Sequence, residues 1–328
     1  MNRNVGAQIS YDRLNKGIDV RDPSTANFLI DSTDRDNYNS QTVFTPGESP
    51  TTFSSNFLIN KLNQNLVTGF FTRFALTEIE LAWNIQNVSD VLGNHRTELF
   101  LVTGGVGVAY GVTIANGNYT VQAGLDAMLV ALNGIVAGWT LQDSTANVGK
   151  KRLLAPAGYT FNFYRQTAAT ASPNGVPNLN LAQALGFLVY SRLPTVGETT
   201  FNYNIAANPN LLAYEYIDIT CPQLASQQKV KDATTSNFDA NDIVFRWHFA
   251  SDASYPESYD GYGYPILPGY KPFNVRRYLA FPKQIRWDPL LPLGQIQFTT
   301  YTDRQDVLTY KYLSESVEFK MLMLISEV

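Results

Sequence analysis

The sequence predicts an all-β protein, a sandwich or jelly roll that carries one inserted α+β element. Three observations predict it. Short segments of alternating apolar and polar residues recur along the chain. No parallel strand–helix–strand rhythm runs through it. The period changes from two to that of a helix only in the middle.

Residues 1–52 are polar, with scattered charges of both signs. They hold turn-rich stretches at Arg21-Asp22-Pro23-Ser24, Thr45-Pro46-Gly47 and Glu48-Ser49-Pro50. This segment reads as an extended N-terminal arm or as a disordered tail. Strands follow. In 76–85, Ile79, Leu81, Trp83 and Ile85 alternate with Glu78, Glu80, Ala82 and Asn84, which puts one face in a core. Segments 98–103 and 107–114 are further strands, broken by Gly104-Gly105. Then Val121, Leu125, Met128, Leu129 and Leu132 form a helical stripe, with Thr120 as N-cap and Asn133-Gly134 as the stop. Strands at 139–142 and 159–164 come next. A brief helix over 181–185 lies between Asn180 and Gly186.

The alternating pattern resumes at 212–219, 243–250, 277–281, 295–301 and 317–325. In the last of these, Leu322 and Leu324 make the second face partly apolar, as in a strand covered on both sides. The expected organisation is an arm at 1–52, a jelly-roll domain from 53–111 and 201–328, and an inserted α+β element at 112–200.

Composition narrows the function. Only 16% of the residues are charged, against roughly 25% in typical soluble proteins. Charge depletion of this kind fits a subunit whose surface is covered by neighbours, and also an ordinary protein. The formal net charge of −4 and the lack of a long basic run argue against strong sequence-independent nucleic-acid binding. The single cysteine, Cys221, permits no intrachain disulfide. No apolar run reaches the roughly 18 residues of a membrane span, and the N-terminus lacks the apolar core of a secretory signal. The sequons at Asn87 and Asn118 then read as chance matches.

The residues able to carry chemistry are few. His95 lies in the polar run Gly93-Asn94-His95-Arg96 and His248 in a strand. Two histidines and one cysteine fall short of the local ligand spacing of a zinc site. A Cys221–His248 nucleophile pair has no supporting motif. Gly104-Gly105-Val106-Gly107 precedes a strand, whereas phosphate loops open a helix. Gly149-Lys150-Lys151 lacks the Ser or Thr and the upstream glycine of a P-loop. Asp31, Asp34 and Asp36 are close enough for calcium, but Arg35 intervenes and no EF-hand pattern completes them, so a turn is the simpler reading. No catalytic residue, cofactor or metal is expected. The basic stretch Lys271, Arg276, Arg277, Lys283 and Arg286 is interrupted by apolar residues, as on an alternating strand surface.

One loop stands out as a contact candidate. Tyr255, Tyr259, Tyr262, Tyr264 and Tyr270 are interleaved with Asp252, Glu257 and Asp260. Tyrosine gives large contact area at low entropic cost and is favoured at interfaces. Sugar stacking is a second reading, and packing of the loop on its own protein a third.

Several phrases resemble those of minor capsid proteins of virophages and related Polinton-like viruses. They are Phe28-Leu29-Ile30-Asp31-Ser32-Thr33-Asp34-Arg35, Asn118-Tyr119-Thr120 leading to Leu132-Asn133, Ala184-Leu185-Gly186-Phe187, and the ending Glu318-Phe319-Lys320-Met321-Leu322-Met323-Leu324-Ile325-Ser326-Glu327. They occur in order along nearly the whole chain. The resemblance implies a single jelly-roll penton protein that forms homopentamers at capsid vertices, beside a separate major capsid protein, in the virion. It implies no catalytic residues. The alternative is a receptor- or carbohydrate-binding β module of a virion.

Overall fold

The computed structural model describes residues 25–34, 52–53, 56–60, 71–90, 92–146, 149–165, 180–225, 243–249, 258–281, 284–286, 293–306, 309–312 and 317–326. In chain order the strands are β1 (Thr25–Asp31), β2 (Thr52–Phe53), β3 (Asn56–Asn60), β4 (Arg73–Trp83), β5 (Arg96–Thr103) and β6 (Val106–Thr113). Next come β7 (Thr140–Asp143), β8 (Lys151–Leu154), β9 (Tyr159–Tyr164), β10 (Asn202–Asn204), β11 (Tyr216–Thr220) and β12 (Ile243–His248). The last are β13 (Phe273–Tyr278), β14 (Gln284–Arg286), β15 (Gln295–Asp306), β16 (Thr309–Tyr312) and β17 (Glu318–Ser326). Among the described residues three α-helices join them: α1 (Val121–Ile135), α2 (Leu181–Ala184) and α3 (Pro222–Ala225). Among the described residues no helix is long and apolar enough to cross a membrane.

Two large antiparallel sheets carry the fold. One runs β1-β17-β4-β13, with β14 added on β4. The other runs β12-β11-β15-β3-β2, with β16 added on β15. Take β1, β3, β4, β11, β12, β13, β15 and β17 as the first to eighth strands. The sheets then read first, eighth, third, sixth and fifth, fourth, seventh, second. Every strand thus pairs with its counterpart from the other end of the chain, first with eighth, second with seventh, third with sixth, fourth with fifth. Two Greek keys wound in this way make a jelly roll.

Alternation builds its interior. Phe74, Leu76, Ile79, Leu81 and Trp83 of β4 are buried, as are Phe319, Met321, Met323 and Ile325 of β17. Ile217, Ile219, Ile296 and Phe298 face them from the second sheet. Aromatic rings tie the layers. Trp83 lies 4.2 Å from Phe249, centroid to centroid, and Phe298 meets Phe319 edge-on at 6.0 Å.

The described residues between Trp83 and Tyr216 lie outside the two large sheets. They contribute the sheets β6-β5-β9 and β10-β8-β7 together with α1 and α2. The boundary expected at 111/112 therefore cuts through β6. Segments 98–103 and 107–111, placed in the roll by the expected boundary, pair with each other, and 98–103 pairs with β9 as well. Alternation reports that a strand has a buried face, not which sheet buries it. Part of the expected N-terminal arm is described. Residues 25–31 form the edge strand β1, paired along its whole length with β17. Phe28 and Ile30 supply its inward face, and the stretch around residues 45–50 lies outside the described residues.

Local signals fare well where they are chemical. Thr120 caps α1 by accepting from Ala123 N. Asn180 caps α2, accepting from Ala182 N at 2.9 Å. Gly104 and Gly105 both have positive φ and close the β5–β6 hairpin in two residues. Asn133-Gly134 is not the stop, because α1 continues to Ile135. The Asn133 side chain instead accepts from Gly138 N and Trp139 N, holding the exit of the helix. Leu322 and Leu324 on β17 are not covered on their outer side within the described chain. Leu322 is half-buried and Leu324 is exposed.

Candidate functional site

The tyrosine loop is organised by Asp260. Its Oδ1 accepts from Tyr262 N at 3.0 Å and Tyr264 N at 2.9 Å, closing a tight turn around Gly263, whose φ is +82°. Its Oδ2 accepts from Gln122 N at 2.8 Å, in the first turn of α1. Gln122 Oε1 returns a bond by accepting from Gly261 N. A carboxylate at a helix N-terminus is favoured by the helix dipole and satisfies an amide with no partner in its own helix. The loop is thus clasped to the insertion.

The tyrosines complete the clasp. Tyr262 donates to Asp126 Oδ1 at 2.5 Å, and this bond, with burial, pushes its hydroxyl up to about 12. Lys151 Nζ sits 4.4 Å from the centre of the same ring. Tyr264 is buried, and its oxygen accepts from Lys151 N. Tyr270 is buried, and its oxygen accepts from Leu211 N. Burial raises both hydroxyls above their ordinary range. Of the five candidates, Tyr259 alone among the described residues is strongly exposed, at 64%. Tyr255 lies outside the described residues. The rings of Tyr262, Tyr264 and Tyr270 are thus used inward, while that of Tyr259 is open to solvent. Sequence reasoning missed Asp260 as the organiser, although an Asp followed two residues on by Tyr and three by Gly is a turn signal.

The remaining candidates stand apart. Tyr216 pairs with His248 at one end of the β11–β12 ladder, and Cys221 follows Thr220 at the other. At ~3.4 Å per residue that separates thiol and imidazole by roughly five residues, or about 17 Å. Cys221 is buried beside Gln223, whereas His248 is exposed and tilted against the Tyr216 ring. His95 lies in the insertion, where its carbonyl accepts from Ile114 N. Asp31 Oδ1 accepts from Thr33 N and Thr33 Oγ1, an Asx turn, and its Oδ2 meets Lys320 Nζ at 3.0 Å. Burial pushes this carboxyl up, but the bonds from Thr33 and Lys320 outweigh it and hold it below the ordinary range. The side chain of Asp34 and all of Asp36 lie outside the described residues. Among the described residues no three potential ligands gather around one point.

Asn87 of the first sequon is fully buried, accepting from Tyr119 N and donating to Tyr119 O, so it cannot carry a glycan. An open cleft of about 350 Å³ is lined by Trp83, Phe273, Asn274 and Glu318. Its carboxylate is already engaged by Ser32.

Of the basic stretch, Arg276 and Arg277 lie on β13 and Arg286 on β14 of the first sheet, and Lys271 is exposed just before β13. Asp31, Lys320, Glu80 and Arg276 fall in one cross-strand row of alternating sign, and Leu29, Leu322, Glu78 and Tyr278 in the next. Arg276 reaches across to Glu78, and Arg277 lies 4.0 Å over the Trp247 ring. Burial pulls Arg277 below its ordinary range. Lys283 lies outside the described residues.

What fold and surface define is a jelly-roll β-sandwich with a large insertion between its third and fourth strands, clasped to the roll by a loop between the fifth and sixth. No family model and no curated protein matches the sequence. Among solved structures the chain is similar to the mavirus penton protein, at 9% identity and a TM-score of 0.44, covering 94% of this chain and 100% of that one. It is also similar to a chain of the Sputnik virophage structure, at 11% identity and a TM-score of 0.37, covering 93% and 98%. The jelly-roll assignment rests on the strand order and not on these likenesses.

Proposed function

We propose that this chain is a structural capsid subunit of the virion, a single-jelly-roll penton protein. In this reading its copies close a five-membered ring at the capsid vertex and contact a major capsid protein. The observation that carries it is the strand order of the two large sheets, with the insertion between the third and fourth strands.

Jelly rolls also serve lectins and cupins, and fold alone does not choose among them. A cupin-type centre gathers histidines, whereas His95 sits in the insertion and His248 on the exposed side of β12. A lectin platform needs open rings, whereas Tyr264 and Tyr270 are spent inside the clasp. The phrases resembling virophage minor capsid proteins favour the capsid. They fall on β1, on both ends of α1, on α2 and on β17, and so span roll and insertion alike. The function is then geometric, since a ring closes when two different flanks of each copy meet at the right rotation. Electron microscopy of the purified protein tests it. Five-fold rings are the expected result. A protein that stays monomeric at high concentration and is absent from purified particles sinks the reading.

A further inference from the structure

The edge strand β6 is built to pair with another strand. Ile114 N donates to His95 O at 2.9 Å, which fixes Thr97–Val112, Leu99–Tyr110, Leu101–Val108 and Thr103–Val106 as the hydrogen-bonded pairs of the β5–β6 ladder. The N–H and C=O groups of Gly107, Ala109, Gly111 and Thr113 therefore point off the edge of the sheet. None of them bonds to another described residue, and Ala109, Gly111 and Thr113 are exposed. Val106 and Val108 beside them are 66% and 46% exposed.

Proteins usually blunt such an edge with charge, proline or a bulge. Among the edge strands, β12 carries Arg246, β13 carries Arg276 and Arg277, and β7 carries Asp143, whereas β6, like the shorter edges β2, β9 and β10, carries no charge. From Leu99 to Leu125 the sequence holds no charged residue at all. Nor is the ladder with β5 interrupted by any bulge, so the edge is regular along its length.

We propose that β6 is an interaction surface for the β6 of a second copy of this chain, paired antiparallel about a two-fold axis through Tyr110. That register sets Gly107 opposite the partner copy's Thr113 and Ala109 opposite its Gly111. It uses every outward donor and acceptor, and places Val108 opposite Val112. An uncharged strand meets its own copy without like-charge repulsion, which is the reason for choosing a second copy as the occupant. The contact is isologous. A five-fold ring requires a heterologous one, so this surface is separate from the ring proposed above and either can fail alone.

Sedimentation over a concentration series tests it, with Ala109→Pro and Ala109→Lys. Because the Ala109 N–H points outward, proline there removes no β5–β6 bond. The wild type is expected to double in mass with rising concentration, and both variants to associate at least about tenfold more weakly. If Ala109→Pro fails to fold, Ala109→Lys carries the comparison. Cysteine scanning fixes the register. Tyr110→Cys, opposite itself in a non-hydrogen-bonded pair, should form a disulfide-linked dimer on mild oxidation, and Val108→Cys should not. Wild-type mass that ignores concentration, variants that associate like the wild type, or equal cross-linking at 108 and 110 overturns the proposal.

Discussion

Asp260 shows how a single side chain sets the attachment of the insertion. It accepts three backbone N–H groups from two distant parts of the chain. Bonds to charged acceptors are among the stronger ones, and their loss orphans the donors, so Asp260→Ala should cost about 2–3 kcal/mol. Tyr262→Phe, which removes one bond, should cost about 1 kcal/mol. The urea midpoint measures both. Asp218 is a second case. It is buried at 1% exposure and held by Arg246 Nε and Nη2 at 2.6 and 2.8 Å. Arg246→Ala leaves that charge without its bidentate partner and should cost about 2–3 kcal/mol.

Glu198 gives a pH prediction at the same scale. Its bonds from Arg192 and Thr195 hold the carboxyl at about 2, below its ordinary 4.5. A depressed folded-state value contributes stability that is complete above 4.5 and is lost as pH falls through about 2. Hydrogen exchange of the Thr195 amide should therefore quicken across that window, beyond the intrinsic change with pH, and Glu198→Gln should remove the pH dependence.

Elements record two kinds of information. Helix α1 was legible because stripe and cap agree. Val121, Leu125, Met128 and Leu132 are buried, and Thr120 makes its capping bond. The β5–β6 hairpin was legible from its glycine pair. Strand β1 was not, because Ala26, Phe28 and Ile30 are too few apolar positions, among polar neighbours, to stand out from an arm. Pairing with β17, nearly three hundred positions away, is what makes it a strand. Glycine in β6 has a reason that also appears only in the element. A Cβ at Gly107 would lie 2.1 Å from the tip of the Phe100 ring. Gly107→Ala should thus destabilise the protein by about 1–3 kcal/mol. Combining it with Phe100→Leu should cost less than the sum of the two single changes, a coupling that a double-mutant cycle in urea reads directly.

Among the described residues one large buried cluster runs through roll and insertion, beside a small one of Phe100, Val102 and Tyr164. Trp83, Phe249 and Phe298 of the roll belong to the same buried cluster as Leu125, Met128, Phe161 and Phe163 of the insertion. With the Asp260 clasp across the same junction, roll and insertion should unfold together, giving coincident urea transitions by tryptophan fluorescence and by circular dichroism. Two separated transitions would contradict this. The sequence by itself determined the local terms. These were the β-rich class, the helix and its cap, the hairpin turn, and the scarcity of groups able to do chemistry. Each follows from periodicity or from bonds a few residues apart. Tertiary structure alone decided which strand joins which sheet, that residues 98–103 pair with β6 and β9 rather than with the large sheets, and that Tyr262, Tyr264 and Tyr270 turn inward. Those outcomes depend on contacts between residues distant in sequence, such as Glu98 with Tyr164, Gln122 with Asp260 and Phe28 with Met323. Alternation along a strand marks a buried face without naming the partner that buries it.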